Sequence, residues 1–180
     1  MADARSRRCI FVSHCMLAQC VMAEGVAKHF AAMVKPVVQF CLDNDINIMQ
    51  MPCPESLCAA GGLARIPHGK AWYEQNGLRE TSSSIAKGQA AYVQRLIEGG
   101  IEVLGVVGID FSPACAVNYL NKGRSIIRGE GIYVEELKRE LAALDIELPF
   151  IGVAAKWSKK MIRDLEALLS RSVGTSAVAA

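Results

Sequence analysis

Three short, strongly apolar runs each lead into a cysteine, and this repeated pairing constrains the fold more than any other feature. Ile10-Phe11-Val12-Ser13 precedes His14-Cys15, and the run 46–51 precedes Pro52-Cys53-Pro54-Glu55. The third run, 103–109, leads to Ser112-Pro113-Ala114-Cys115. Runs of this length and apolarity read as strands of a buried parallel sheet. Parallel strands need long crossovers of right-handed sense, so their carboxyl ends open on the same side. Ligands of open α/β sheets bind at that edge. Cys15, Cys53 and Cys115 therefore share nearly one structural address. Three thiolates meeting there repel one another and lose hydration unless a cation compensates. The pattern points to a metal ion or an iron–sulfur cluster.

The spacing between the runs supplies the crossovers. A helix is predicted over about 34–42, feeding the second strand through the turn residues Asp43-Asn44-Asp45. A second is predicted over about 84–98, with Ala90, Val93, Leu96 and Ile97 on one face and a stop at Gly99-Gly100. The third strand is apolar throughout, so it is expected to be central and covered on both faces. Val134, Leu137, Leu141 and Leu144 mark another helix, and 148–153 a fourth strand. The last helix, about 156–169, repeats Trp157, Met161, Leu165 and Leu168. Two stretches lack a core stripe. Residues 61–84 read as a long functional loop or partly helical lid, and 118–131 is polar and glycine-containing. The expectation is an α/β, Rossmann-like or flavodoxin-like layered fold with a mainly parallel sheet of about four or five strands. A single domain over 9–170 is expected, with flexible ends at 1–8 and 171–180.

With 180 residues, 52% of them hydrophobic, the chain is long enough for one well-buried core. Its net charge of +2 is spread along the sequence rather than gathered into a basic stripe, which gives nucleic-acid binding no support and favours a small-molecule partner. No apolar run approaches the roughly 18–20 residues a membrane span needs. Arg5 to Arg8 followed by an apolar stretch imitates a signal peptide, but His14 and Gln19 interrupt it and cleavage would remove Cys15. Seven cysteines, an odd number without a secretory signal, argue against a disulfide scaffold and for a reducing cytoplasm. Cys9 and Cys41 fall in apolar elements and read as small buried hydrophobes. Cys20 and Cys58 each follow a proposed ligand by five residues, within reach of a fourth ligand position, with packing the favoured role.

Structural zinc usually takes four ligands, often from C-x-x-C knuckles, and the chain has none. A [4Fe-4S] cluster held by three thiolates leaves one iron open, the arrangement a Lewis acid needs. The blocks Ser13-His14-Cys15-Met16-Leu17, Pro52-Cys53-Pro54-Glu55 with Gly61-Gly62-Leu63-Ala64-Arg65, and Ser112-Pro113-Ala114-Cys115 resemble, in order and spacing, those of the TudS-like thiouracil desulfidase family. The resemblance covers about 9–154. It implies a [4Fe-4S] cofactor on Cys15, Cys53 and Cys115, with Glu55 and Ser112 in the pocket beside the open iron. It also implies removal of sulfur from a thiolated nucleobase or similar thiocarbonyl small molecule without net redox change.

Cys15 is not followed by the family's glycine and Arg-Tyr-Asp/Asn-Gly stretch. The third block reads Ala114-Cys115-Ala116 in place of Ser-Cys-Gly. Cluster binding therefore transfers more safely than thiouracil specificity. The chief alternative is a non-catalytic iron–sulfur or zinc sensor, in which Glu55 is a first-turn acid and Ser112 a turn cap. A thiol enzyme using Cys53 and Glu55 ranks last, since only His68 lies near enough in sequence to serve as a partner. His14 reads as an edge histidine, and Arg65, His68 and Lys70 as a solvated loop.

Overall fold

A computed structural model describes residues 3–175. The apolar runs form the strands β1 (Arg8–Ser13), β2 (Asn47–Met51), β3 (Glu102–Ile109) and, later in the chain, β6 (Phe150–Val153). They pair in the order β2-β1-β3-β6, and every pairing is parallel. This is the layered α/β architecture expected, with β3 interior as its unbroken apolarity requires.

Strand geometry sends alternate side chains to opposite faces. Cys9 and Phe11 of β1 enter one core, Ile10 and Val12 the other. In β3 the alternation breaks once: Val103 and Val106 share a face, as do Leu104 and Val107. The pairing shifts between Cys9 and Phe11, opposite a bulge at Gly105, where φ is +151° and a side chain would press on the Pro149 carbonyl. The first core is covered by α5 (Leu78–Glu98) and α6 (Ile132–Ala142), the second by α2 (Lys35–Asp43) and α7 (Ser158–Thr175). Short helices α1 (His14–Leu17), α3 (Pro54–Leu57) and α4 (Lys70–Gln75) complete the set.

Four details differ from expectation. Helix α5 starts at Leu78, inside the presumed loop, because its buried face there includes the polar Ser82, which hides the stripe from a reading based on apolar spacing. Ile97 is exposed, and Leu144 lies exposed beyond the end of α6. The polar stretch 118–131 holds an antiparallel hairpin, β4 (Tyr119–Lys122) and β5 (Ser125–Arg128), turning through Gly123 at φ +61°. All of β5 is exposed, so no alternation betrays it. Finally, α7 continues to Thr175, past its expected end. Residues 1–2 and 176–180 of the expected flexible ends lie outside the described residues. Among the described residues, no helix is long and apolar enough to cross a membrane.

Candidate active site

The three cysteine-bearing segments leave the same edge of the sheet. Ser13 pairs with Met51 and Val12 with Val107, so β1, β2 and β3 end side by side. Cys15 follows within α1, Cys53 is the N-cap residue just before α3, and Cys115 lies in the turn after β3. Cys115 is buried, while Cys15 and Cys53 keep part of their surface. Burial pushes the Cys15 thiol up to about 12, and the charges of Cys53 and Glu55 push the same way. Burial lifts Cys115 well above its ordinary value, reinforced by Cys15, Cys53 and Glu55. The three sulfurs are thus electrostatic neighbours, and ionising all of them needs a compensating cation.

The turn carrying Cys115 is fixed by backbone contact. A Cβ on Gly108 would collide with the Cys115 carbonyl, and one on Gly131 with the Ala114 carbonyl group. Glycine is therefore needed on both sides of the turn. The buried Asp110 carboxylate accepts from the Val117, Asn118 and Tyr119 N–H groups at 3.1, 2.8 and 3.3 Å, which fixes the exit from the turn. Phe111 takes a left-handed φ of +74°, a strained state for a side chain of that size. Next to it, Ser112 Oγ accepts from the Ala114 and Cys115 N–H groups at 3.1 and 3.0 Å.

Ser112 also reaches outward. Its hydroxyl donates to Glu55 Oε1 at 2.8 Å, joining the segment after β3 to the segment after β2. The other carboxylate oxygen accepts from Arg65 Nε at 3.3 Å. Arg65 Nη1 donates to the Val21 and Gly62 carbonyls, each at 2.8 Å. Arg65 is thus 7% exposed and central, which corrects the solvated-loop reading of it. The signal for it in the sequence is its place after Gly61-Gly62: Gly61 has no room for a side chain against the Glu55 carbonyl, so the chain folds back onto α3. His68 instead stacks on Trp72 at 3.7 Å, and Lys70 bonds the Glu130 carbonyl at 3.0 Å and pairs with Glu135.

Cys9, Cys41 and Cys58 sort as their sequence context suggests, whereas Cys20, expected to pack, does not. Cys9 and Cys41 are buried in the cores, where burial lifts both to about 11. Cys20 is exposed; Cys58 is buried and its thiol donates to the Asn76 carbonyl at 3.3 Å. Sequence reasoning missed Tyr73 and Tyr133, whose buried hydroxyls have no hydrogen-bond partner. Tyr73 lies inside the presumed loop, and Tyr133 on the core face of α6.

Among the described residues, no group of three or more His, Cys, Asp or Glu is arranged to hold a single metal ion. A single zinc ion gathers its ligands within about 2.0–2.3 Å of one centre, whereas a multi-iron cluster offers each thiolate a different iron. The latter demand is the looser one.

No family model matches the chain. Protein MJ0003 of Methanocaldococcus jannaschii, itself named as uncharacterized, is 26% identical over 167 residues, spanning 92% of this chain and 99% of that one. Among solved structures, the [4Fe-4S]-dependent thiouracil desulfidase TudS superposes with a TM-score of 0.51 at 18% identity, over 89% of this chain and 97% of its own. The chain has the TudS fold. The likeness to TudS extends over nearly the whole of both chains.

Proposed function

We propose that the protein is an iron–sulfur-dependent desulfidase acting on a thiocarbonyl small molecule of the thiouracil kind, by hydrolytic C–S cleavage with release of hydrosulfide. The observation that carries this reading is the contact between Ser112 and Glu55 at the edge where three mutually repelling thiols gather. A sensor has no need of a carboxylate held beside its cluster. The donor set fits the cofactor: three soft sulfur ligands with no nitrogen or oxygen donor among them suit iron–sulfur chemistry better than a hard cation.

Cys15, Cys53 and Cys115 would hold the [4Fe-4S] cluster. When bound, it supplies an iron free of protein ligands, a Lewis acid for a thiocarbonyl sulfur. The remaining work falls to this chain's own side chains. Glu55 is held at both oxygens, by the Ser112 hydroxyl and the Arg65 guanidinium, so its carboxylate is aimed rather than free to rotate. In that position it takes a proton from the attacking water and returns it to the substrate's ring nitrogen. Ser112, itself fixed by two backbone N–H groups, gives its one hydroxyl proton to Oε1 and so keeps the carboxylate oriented toward the substrate. Arg65 ties this pair to the segment after α1 through the Val21 carbonyl.

The test is anaerobic purification with iron and acid-labile sulfide analysis, followed by sulfide-release assays on 2- and 4-thiouracil and related thiocarbonyl compounds. Iron and sulfide in equal amounts, with turnover lost in Glu55→Ala, are expected. Zinc or no metal after anaerobic reconstitution overturns the proposal, as does a loaded Glu55→Ala variant that releases sulfide at the wild-type rate from every accepted substrate.

A further inference from the structure

Phe111 stands where a tight turn ordinarily takes glycine. The Ser112 N–H donates to the Ile109 carbonyl at 3.3 Å, closing a four-residue turn. Its third member, Phe111, has a φ of +74°, while Asp110 before it is not left-handed. That combination matches a type II turn, whose third position favours glycine or asparagine. Glycine would take this backbone without strain, whereas a bulky ring there persists only when its surroundings hold it. Such outliers concentrate at functional sites.

The backbone is pinned on both flanks. The Asp110 N–H donates to the Val153 carbonyl of β6 and the Phe111 N–H to the Tyr119 carbonyl of β4, each at 2.8 Å, and Phe111 bridges to Leu120. The ring is held as well. It faces Tyr119 and Trp157 at centroid distances of 6.4 and 5.4 Å, and the Lys156 ammonium stands 4.5 Å from its centre. Tyr119 opens the hairpin and Trp157 follows β6, so this clamp joins two parts of the chain that carry none of the three site cysteines. What it holds is the next residue. The Ser112 hydroxyl accepts from the Ala114 and Cys115 N–H groups and donates to Glu55, contacts that require the chain to leave Phe111 in one direction.

We propose that Phe111 is a positioning residue: its ring, clamped by Trp157, Tyr119 and Lys156, holds the left-handed turn that aims the Ser112 hydroxyl at Glu55. Its kinetic consequence rests on the desulfidase reading, while its structural consequence does not. Phe111 touches no reacting atom in this scheme and acts only through Ser112, so the effects of changing the two residues are expected to overlap rather than multiply.

The experiment has two arms. In the first, amide hydrogen exchange is followed by NMR on the metal-free proteins, wild type and Phe111→Gly. The Ala114 and Cys115 N–H groups, whose acceptor is Ser112 Oγ, are expected to exchange at least about tenfold faster in the variant, with the Val106 N–H of β3 unchanged as the control for global opening. Unchanged exchange at both groups, or equal acceleration at Val106, overturns the proposal. In the second arm, sulfide release from thiouracil is measured on anaerobically reconstituted wild type, Phe111→Gly, Phe111→Tyr, Ser112→Ala and the Phe111→Gly/Ser112→Ala double variant. Phe111→Gly is expected to lower kcat about tenfold with KM within about twofold, Phe111→Tyr to restore the rate because it keeps the ring, and the double variant to be no slower than Ser112→Ala alone. A loaded Phe111→Gly protein at the wild-type kcat overturns the proposal, as does a double variant in which the two losses multiply. A wild type that releases no sulfide while the first arm shows the local acceleration overturns the desulfidase reading and supports the positioning role. If Phe111→Gly does not fold, Trp157→Leu, which removes one wall of the clamp and leaves the turn residue in place, is read in both arms with about threefold effects expected, and wild-type values in it overturn the proposal.

Discussion

Cys41 and Cys115 are both buried thiols with raised pKa values, yet for different reasons. Cys41 sits in the apolar core under α2, and burial alone lifts it to about 11. Cys115 is lifted by burial and then by Cys15, Cys53 and Glu55, three groups that carry negative charge when ionised. The first thiol is stable as a neutral S–H packed like any small hydrophobe. The second lies in a place made unfavourable for a thiolate by other thiolates, a conflict removed by keeping the protons or, once the thiols ionise, by a shared cation. A raised thiol pKa by itself therefore says little; its causes separate a packing cysteine from a proposed ligand.

The sharpest test of that contrast is metal content. Alanine at Cys15, Cys53 or Cys115 is expected to abolish iron binding after anaerobic reconstitution, since each removes one of the three proposed ligands. Alanine at Cys41 is expected to keep full iron content, at about 1 kcal/mol of stability for the lost sulfur contacts. Elemental analysis of the four variants decides, and iron loss in Cys41→Ala alone would reverse the assignment.

The next largest effect concerns the support of Cys115 rather than its sulfur. Gly108→Ala drives a Cβ into the Cys115 carbonyl, backbone that no rotamer change can move, and is expected to cost about 3 kcal/mol or more. Gly25→Ala, on the Cys15 side, meets nothing within 4 Å and carries only the strain of its φ of +71°, about 1–2 kcal/mol. Urea denaturation of the two variants measures the difference. Equal losses would mean that the Cys115 turn yields as easily as the exposed segment.

These two neighbourhoods also explain what the sequence made legible. The strands and all three ligand candidates could be read because each apolar run ends abruptly and is followed by a cysteine, a local signal that parallel topology converts into a common edge. Glu55 and Ser112 were named through their motifs, and their mutual contact follows once β2 and β3 end on that edge. Arg65 was misjudged because its partners, Glu55 and the Val21 carbonyl, are 10 and 44 residues away in sequence. A charged residue in a glycine-rich stretch looks solvated until its long-range partners are known. Tyr73 was missed because it falls within 61–84, where no core stripe is visible, and α5 was shortened because Ser82, ahead of the expected start, occupies a buried position.

Alkaline pH probes the packing cysteines directly. The ordinary thiol value is 9.0, and Cys41 titrates at about 11 in the folded chain, so the folded state holds its proton longer than the unfolded state does. Stability from this group is complete below about 9 and falls as pH rises toward 11, by about 2 kcal/mol at pH 11. Cys41→Ala is expected to remove that much from the alkaline loss while leaving the profile below pH 8 parallel to wild type. Chemical denaturation of the metal-free proteins at pH 8, 9.5 and 11 measures it, and an unchanged alkaline slope would show that Cys41 is not held as a buried neutral thiol.

A small stability change is expected at Ser112, where two interpretations of one hydroxyl can be separated. Its oxygen caps the Ala114 and Cys115 N–H groups and its proton goes to Glu55, so it is at once a turn cap and a contact of the proposed base. Ser112→Ala should cost about 1 kcal/mol in either case, because backbone donors lose an acceptor. Only the proposed catalytic arrangement adds a kinetic cost, at least about tenfold in sulfide release from a loaded enzyme, because Glu55 Oε1 is no longer oriented. Ser112→Thr keeps the hydroxyl and should recover both properties. Wild-type turnover in a loaded Ser112→Ala protein would reduce Ser112 to a cap and leave Arg65 as the group that positions Glu55.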